Sequence, residues 1–307
     1  MPNLCHPEPQ STPKGKYMPG KLYLVATPIG NLDDMSVRAV ETLRNVSIIA
    51  CEDTRTSRKL LDHFDIHTPT TSYHEFNKYD KADFLVEKLL SGEDIAEITD
   101  AGTPGISDPG EVLVEKCYEA GIEVYSTPGP AAFVNALVSS GLPTRRVAFE
   151  AFLPQEKKEK ERILSELQNE TRTIVLYEAP HRLKKTLQDL ATWLGPARRL
   201  TVCRELTKKF EEKVQTTLEG ALHYYEENEP RGEYVLVIAG KAPEEIAAEK
   251  AASWADMSIA DHVAYYENDK GLSHKEAMKA AATDRGVSKR DIYAALLAQN
   301  GDKSEED

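Results

Sequence analysis

A chain of 307 residues, 40% hydrophobic and 29% charged, with a formal net charge of −13, has room for about two domains that each bury a core of their own. No apolar run approaches the ~20 residues needed to span a bilayer, and none near Met1 has the form of a signal peptide. The four cysteines (Cys5, Cys51, Cys117, Cys203) form no C-x-x-C pair, so neither a zinc site nor a disulfide framework is expected, and idle thiols in a cytoplasmic protein are the simplest account.

Residues 1–20, polar and proline-containing, are read as a flexible leader. The run KLYLVA (21–26) predicts a buried strand ending in the turn TPIGN. Behind it Val37, Val40, Leu43 and Val46 fall on one helical stripe, with Asp33 or Asp34 as the expected N-cap. The scheme repeats with SIIACEDTR and the helix over SRKLLDHF, then with TTSYHEF and KADFLVEKLL. It repeats again with DIAEI, the loop TDAGTPGISDPG and the helix EVLVEKCYEAG, and a fifth time with IEVYSTPGP and AAFVNALVSSG. Five strand–loop–helix units over 21–140 imply a largely parallel sheet covered on both faces.

The stretch GLPTRRVAFEAFLPQEKKEKER then mixes a short strand with a charged, linker-like segment. A second, smaller α/β unit is expected over 141–240: TIVLYE, the helix HRLKKTLQDLATWLG, the strand LTVCREL, the helix LEGALHYYEEN and the strand EYVLVIAG. Residues 241–307 read as a helical tail, a charged connector followed by a helix-turn-helix with Gly286 at the turn, Ser288 as N-cap, and Ile292, Leu296 and Leu297 on the apolar face. Such a pair serves either nucleic-acid docking or packing.

Three strand-end loops, TPIGN (27–31), DAGTPG (100–105) and TPGPA (127–131), join a stiffening proline to a glycine that lets main-chain atoms approach a ligand. Strand ends are where open α/β sheets bind ligands. No G-x-x-x-x-G-K-[ST] occurs, and no G-x-G-x-x-G follows the first strand. A cradle without a phosphate anchor suits a nucleoside-containing molecule such as S-adenosylmethionine; ordinary turn chemistry is the other reading. Charges also gather at strand ends: Glu52, Asp53 and Arg55; Glu178, His181 and Arg182; Arg204, Glu205 and Lys208. Burying them costs free energy unless they pair or line a cleft. The acidic excess lies toward the two ends of the chain, while residues 141–240 are close to neutral. Their basic groups are either solvated helix faces or a surface for a polyanion.

In order, TPIGNLDD, CEDTR, DAGTPGISDPG, TPGPAA, GLP, YEAPHR, RELTK and GEYVLVIAG resemble the ribosomal RNA small subunit methyltransferase I family, a branch of the tetrapyrrole methylase superfamily, over about 21–240. The resemblance implies two α/β domains with a cofactor cleft between them. It also implies transfer of a methyl group from S-adenosylmethionine to the ribose 2'-hydroxyl of a cytidine in the decoding region of 16S ribosomal RNA, by a cytoplasmic homodimer. Carried over, the family's cofactor positions fall on Pro28, Gly30, Asp100, Ala101, Gly102, Thr103, Gly129, Pro130 and Ala131, with Tyr177 and Leu206 closing from the second domain.

A ribose hydroxyl is a weak nucleophile until its proton is taken, and Glu178, Glu205 and Asp53 are the candidate bases. Arg55, Arg182, Arg204 and Lys208 are the candidates for holding RNA phosphates. No metal is expected at the site. A small-molecule, tetrapyrrole-type methyltransferase and a non-catalytic RNA-binding module are the alternatives.

Overall fold

The computed structural model describes residues 18–254 and 256–302; most of the expected leader, through residue 17, and Cys5 with it, lies outside the described residues. The first domain is a sheet of five parallel strands, β1 (Leu22–Val25), β2 (Ile48–Cys51), β3 (Thr70–Ser72), β4 (Ile95–Ile98) and β5 (Val124–Thr127), ordered β3-β2-β4-β1-β5. On one face α1 (Val37–Asn45) and α2 (Thr54–His63) bury Leu43 and Leu61 against Val25, Ile49 and Ile98. On the other, α3 (Lys78–Leu90) and α4 (Gly110–Glu119) bury Leu85, Leu89 and Leu113 against Leu22 and Ile95. The N-cap of α1 is Ser36, whose side chain accepts from the Ala39 N–H; Asp33 and Asp34 instead form a 3-10 turn capped by Asn31. The aspartates sit one turn too early to reach the orphan N–H groups of that helix.

A second sheet follows the order β6-β7-β10-β8-β9, built from β6 (Val147–Phe152), β7 (Thr173–Glu178), β8 (Arg199–Arg204), β9 (Glu212–Thr217) and β10 (Tyr234–Ile238). Only β6 and β7 run parallel. The charged segment read as linker-like is α6 (Lys157–Leu167), capped by Glu156 and anchored through Leu164 and Leu167. Together with α7 (Pro180–Leu194) and α8 (Leu218–Glu227) it covers one face of this sheet.

The opposite face is covered by a helix of the first alternation. In α5 (Ala132–Ser139), Ala136 and Leu137 pack with Ile29 against Val175, Cys203, Leu206, Val235 and Val237 of the second sheet and its loops. This shared core fixes the two domains against each other and places the carboxyl ends of the first sheet opposite the ends of β7 and β8. Beyond them, α9 (Pro243–Ser253), α10 (Ile259–Asn268), α11 (His274–Arg285) and α12 (Lys289–Asp302) form the tail, whose own core includes Val263, Met278, Ala281 and Ile292. Gly286 ends α11 in the left-handed conformation and Ile292 is buried as expected, whereas Leu297 is exposed. α10 is a further helix of the tail, beyond the connector and the helix-turn-helix expected there.

One core position is costly. Glu97, in the central strand β4, is 3% exposed and its Oε2 has no hydrogen-bond partner. Burial, reinforced by Asp108 and Glu52, pushes its carboxyl up to about 8. Because the folded-state value lies above that of the unfolded chain, the unfolded state gives up this proton first as pH rises. The native state therefore loses about 1.4 kcal/mol per pH unit between roughly 4.5 and 8. Glu97→Gln is expected to match the parent near pH 5 and to exceed it increasingly toward pH 8, measured by urea unfolding across that range.

Candidate functional site

The loops after β1, β4 and β5 are tied into one floor. Thr27 and Gly102 exchange backbone hydrogen bonds (2.9 and 3.1 Å), and the Thr103 hydroxyl donates to the Pro130 carbonyl at 2.9 Å. Glycine is required where these strands of loop touch. A Cβ on Gly129 would lie 2.6 Å from the Ala26 Cβ, and one on Gly30 would lie 2.3 Å from Lys208 Cγ of the second domain. Gly102, at φ +90°, adopts a conformation that side chains rarely take.

Above this floor a cavity of about 520 Å³ opens between the domains. Ile29, Phe133, Phe152, Tyr177, Leu206 and Val235 give it apolar walls, while Glu52, Asp108, Glu178, His181, Lys208 and Glu233 supply charge or polarity. The Tyr177 hydroxyl accepts from the Phe133 N–H at 3.2 Å, a hydrogen bond that joins the domains at the cavity wall. Three non-glycine residues with positive φ stand at or beside it: Ser107 (63°), Glu205 (51°) and Thr207 (65°). Backbone strain of this kind persists only where the surroundings enforce it. Gly232 leaves the room that Glu205 occupies, since a Cβ there would lie 2.5 Å from Glu205 Cγ.

Of the positions expected to hold a cofactor, Ala101, Gly102, Thr103, Ala131, Tyr177 and Leu206 line the cavity. Pro28, Gly30, Gly129 and Pro130 stand behind that lining in the turns that shape the floor. Asp100 lies outside the lining as well. It acts as a staple, its Oδ1 accepting from the Asp53 N–H at 3.2 Å and its own N–H pointing to Glu52 Oε2 at 3.4 Å.

The candidate bases separate. Glu178 lines the cavity but is 2% exposed, and accepts from the Thr186 hydroxyl and the Ala179 N–H beside the Arg182 guanidinium (3.4 Å). Glu205 is turned to Lys208 (2.8 Å) and to the Glu233 N–H (3.0 Å). Burial raises the proton affinity of Glu205, but these bonds outweigh it and hold the carboxyl below its usual range. Asp53 caps α2 and pairs with Arg55 at 3.0 Å, which lowers its pKa. Neither Glu205 nor Asp53 faces the cavity.

The candidate phosphate cations are engaged as well. Arg55 holds Asp53, Arg182 donates to the Leu153 carbonyl, Arg204 pairs with Glu212 at 3.1 Å, and Lys208 bridges Glu205 and Glu233. Only Lys208 of the four lines the cavity.

Glu52, Asp108, Phe133, His181 and Glu233, none of them among the expected cofactor positions, bases or phosphate cations, also line the cavity. Asp108 lies within TDAGTPGISDPG, and its role is visible in the folded chain. Its two oxygens accept from the N–H groups of Gly105, Ile106 and Gly110 at 2.8 to 3.1 Å, holding the cavity-lining turn closed at the start of α4. Glu52 and His181 carried the signal of a charged or polar residue just past a buried strand.

A parallel sheet with glycine turns at its carboxyl ends, closed by a mixed sheet across a cleft, defines a class. Residues 21–222 match the family of Tetrapyrrole (Corrin/Porphyrin) Methylases. The chain is 48% identical over 283 residues to the ribosomal RNA small subunit methyltransferase I of Synechocystis sp., covering 92% of this chain and 99% of that protein. It is 45% identical over 281 residues to the protein of the same name from Bacillus subtilis, covering 92% and 95%. The chain belongs to the ribosomal RNA small subunit methyltransferase I family. Among solved structures it shares its fold with diphthine synthase (TM-score 0.59, 12% identity, 72% of this chain and 90% of that one). It also shares it with the uroporphyrin-III C-methyltransferase of Thermus thermophilus complexed with S-adenyl homocysteine (TM-score 0.52, 17% identity, 72% and 97%).

Asp108→Ala removes three hydrogen bonds to a charged acceptor. It is expected to cost about 2 kcal/mol of stability in chemical denaturation and to weaken binding of S-adenosylhomocysteine by roughly tenfold in calorimetry, the equivalent of about 1.4 kcal/mol.

Proposed function

We propose that this protein is an S-adenosylmethionine-dependent methyltransferase acting on the ribose 2'-hydroxyl of a cytidine in the decoding region of 16S ribosomal RNA. The observation that carries the reading is the cleft itself, in which turns from three parallel strands make a main-chain floor and the second domain supplies an apolar roof. Membership of the rRNA methyltransferase family supports the RNA acceptor.

The residues present suit the cofactor. Gly102 offers a floor without a side chain, Ile29, Leu206, Val235 and Tyr177 provide apolar surface for a nucleobase, and the carboxylates of Asp108, Glu178 and Glu233 give the cavity a negative potential that suits a ligand bearing a sulfonium and an ammonium group. Ala101, Gly102, Thr103 and Ala131 would hold it from below, Tyr177 and Leu206 from above. When bound, S-adenosylmethionine supplies a methyl group on a sulfur that is already an excellent leaving group.

The protein's task is then to position the two partners and to manage one proton. Apolar walls limit water around the acceptor hydroxyl, and the joint between α5 and the second sheet keeps floor and roof at a constant separation. Arg55, the exposed one of the four candidate cations, can exchange its internal carboxylate for an RNA phosphate, because surface ion pairs of this kind contribute little to stability. Ribosomal small subunits, a homodimeric assembly and a cytoplasmic location complete the reading. No helix among the described residues is long and apolar enough to cross a membrane.

Small ribosomal subunits lacking the modification, incubated with the protein and tritiated S-adenosylmethionine, are expected to take up label at a single cytidine that becomes resistant to alkaline cleavage on its 3' side. Label on a base atom, or none on RNA, would overturn the assignment.

A further inference from the structure

Four carboxylates face the cavity, and three of them are already committed within the protein. Glu178 is saturated by Thr186, Ala179 and Arg182; Asp108 accepts three N–H groups of its own turn; Glu233 holds Lys208 at 2.7 Å. Glu52 is different. It stands at the end of β2, half-buried, and among the described residues it receives one long hydrogen bond, from the Asp100 N–H at 3.4 Å. Among the described residues no ion pair involves it.

We propose, resting on the methyltransferase reading above, that Glu52 is the catalytic base that takes the proton of the acceptor hydroxyl. The Glu52 carboxylate accepts this hydrogen while the hydroxyl oxygen forms its bond to the methyl carbon. The carbon–sulfur bond breaks with its electron pair going to sulfur, which leaves a neutral thioether, a methyl ether on the ribose and a protonated Glu52. Solvent at the cleft mouth then removes the proton, and the starting state returns.

The surroundings fit this role. Burial raises the proton affinity of Glu52 above that of an ordinary glutamate; the hydrogen bond from the Asp100 N–H opposes it, the charges of Asp100 and Asp108 add to it, and His74 opposes it again. Glu97, beneath it in β4, lies close enough for Glu52 to add to its own raised value. Facing the same space from the second domain are His181 and Lys208. A carboxylate whose proton affinity is raised by its surroundings is, when ionised, a stronger base than a solvated one. The like-charge crowding around it, from Asp100 and Asp108, is a cost that a purely structural residue would have no cause to incur.

The test compares the parent with Glu52→Gln, Glu52→Ala and His181→Asn, using S-adenosylhomocysteine titrations and single-turnover methylation of unmodified small subunits from pH 5.5 to 9. Glu52→Gln is expected to bind S-adenosylhomocysteine within about twofold of the parent, to melt at a similar temperature, and to lose roughly a hundredfold in rate. The parent rate should fall as pH drops and Glu52 gains its proton, and that acid limb should be missing from the residual activity of Glu52→Gln. Added formate should restore about tenfold to Glu52→Ala, by supplying a carboxylate of matching basicity.

A Glu52→Gln rate within about threefold of the parent would overturn the proposal, as would a loss of S-adenosylhomocysteine affinity large enough to account for the lost rate. So would an acid limb that survives in Glu52→Gln and vanishes in His181→Asn, which would make the imidazole the base. If the parent itself binds no S-adenosylhomocysteine, the methyltransferase reading fails instead, and the two failures are told apart by that measurement.

Discussion

The burial of α5 against the second sheet is the contact on which the rest of the molecule depends. This helix follows the last strand of the first sheet and would ordinarily cover that sheet. Instead Ala136 and Leu137 join Ile29 and Leu142 in a core completed by residues of β7, β8, β10 and the turn after β8. Burying side chains of this kind stabilises by about 25 cal/mol per Å² of apolar surface, and the surface here belongs to two sheets at once. The floor and roof of the cavity are consequently parts of one rigid object, and the Phe133 to Tyr177 hydrogen bond crosses their seam.

From that constraint the chemistry of the cleft follows in order. The floor must come close to a ligand without side chains, so glycines stand where the loops touch. The roof must exclude water, so it is lined by Leu206, Val235 and aromatic rings. The polar groups that remain are nearly all neutralised by partners inside the protein. The exception is a cluster at the end of β2 and β4, where burial raises the proton affinity of Glu52, Glu97 and Asp100, and the nearby charge of Asp108 adds to the first two. The fold thus concentrates unpaired acidity at one end of an otherwise balanced site.

How much of this was legible in the sequence varies with the physics involved. The first sheet was legible because parallel strands buried on both faces are short apolar runs, and because their ends carry Gly and Pro for steric reasons that composition displays. β9 was not, since EKVQTT has one strongly apolar residue and lies at the sheet edge. The helix α6 read as a linker because only Leu164 and Leu167 of its eleven residues are buried. The position of α5 was hidden for another reason: an apolar helix announces that it will be covered, and nothing in its sequence says by which sheet. Among site residues, charge after a strand marked the right neighbourhoods. Which charges were spent on partners, as with Arg182 and Glu205, and which were left free, as with Glu52, is a three-dimensional fact.

The sharing of α5 also bears on how the chain acquires its shape. When the first sheet has been synthesised, this helix emerges with nowhere to lie, since the strands that receive it are encoded later. Until β7, β8 and β10 have assembled, Leu137 and its neighbours stay wet, and the nascent half is sticky. Completion of the binding chamber is thereby delayed to the last strand of the second sheet, so a truncated product ending before Ile238 would have a floor but no closed room above it.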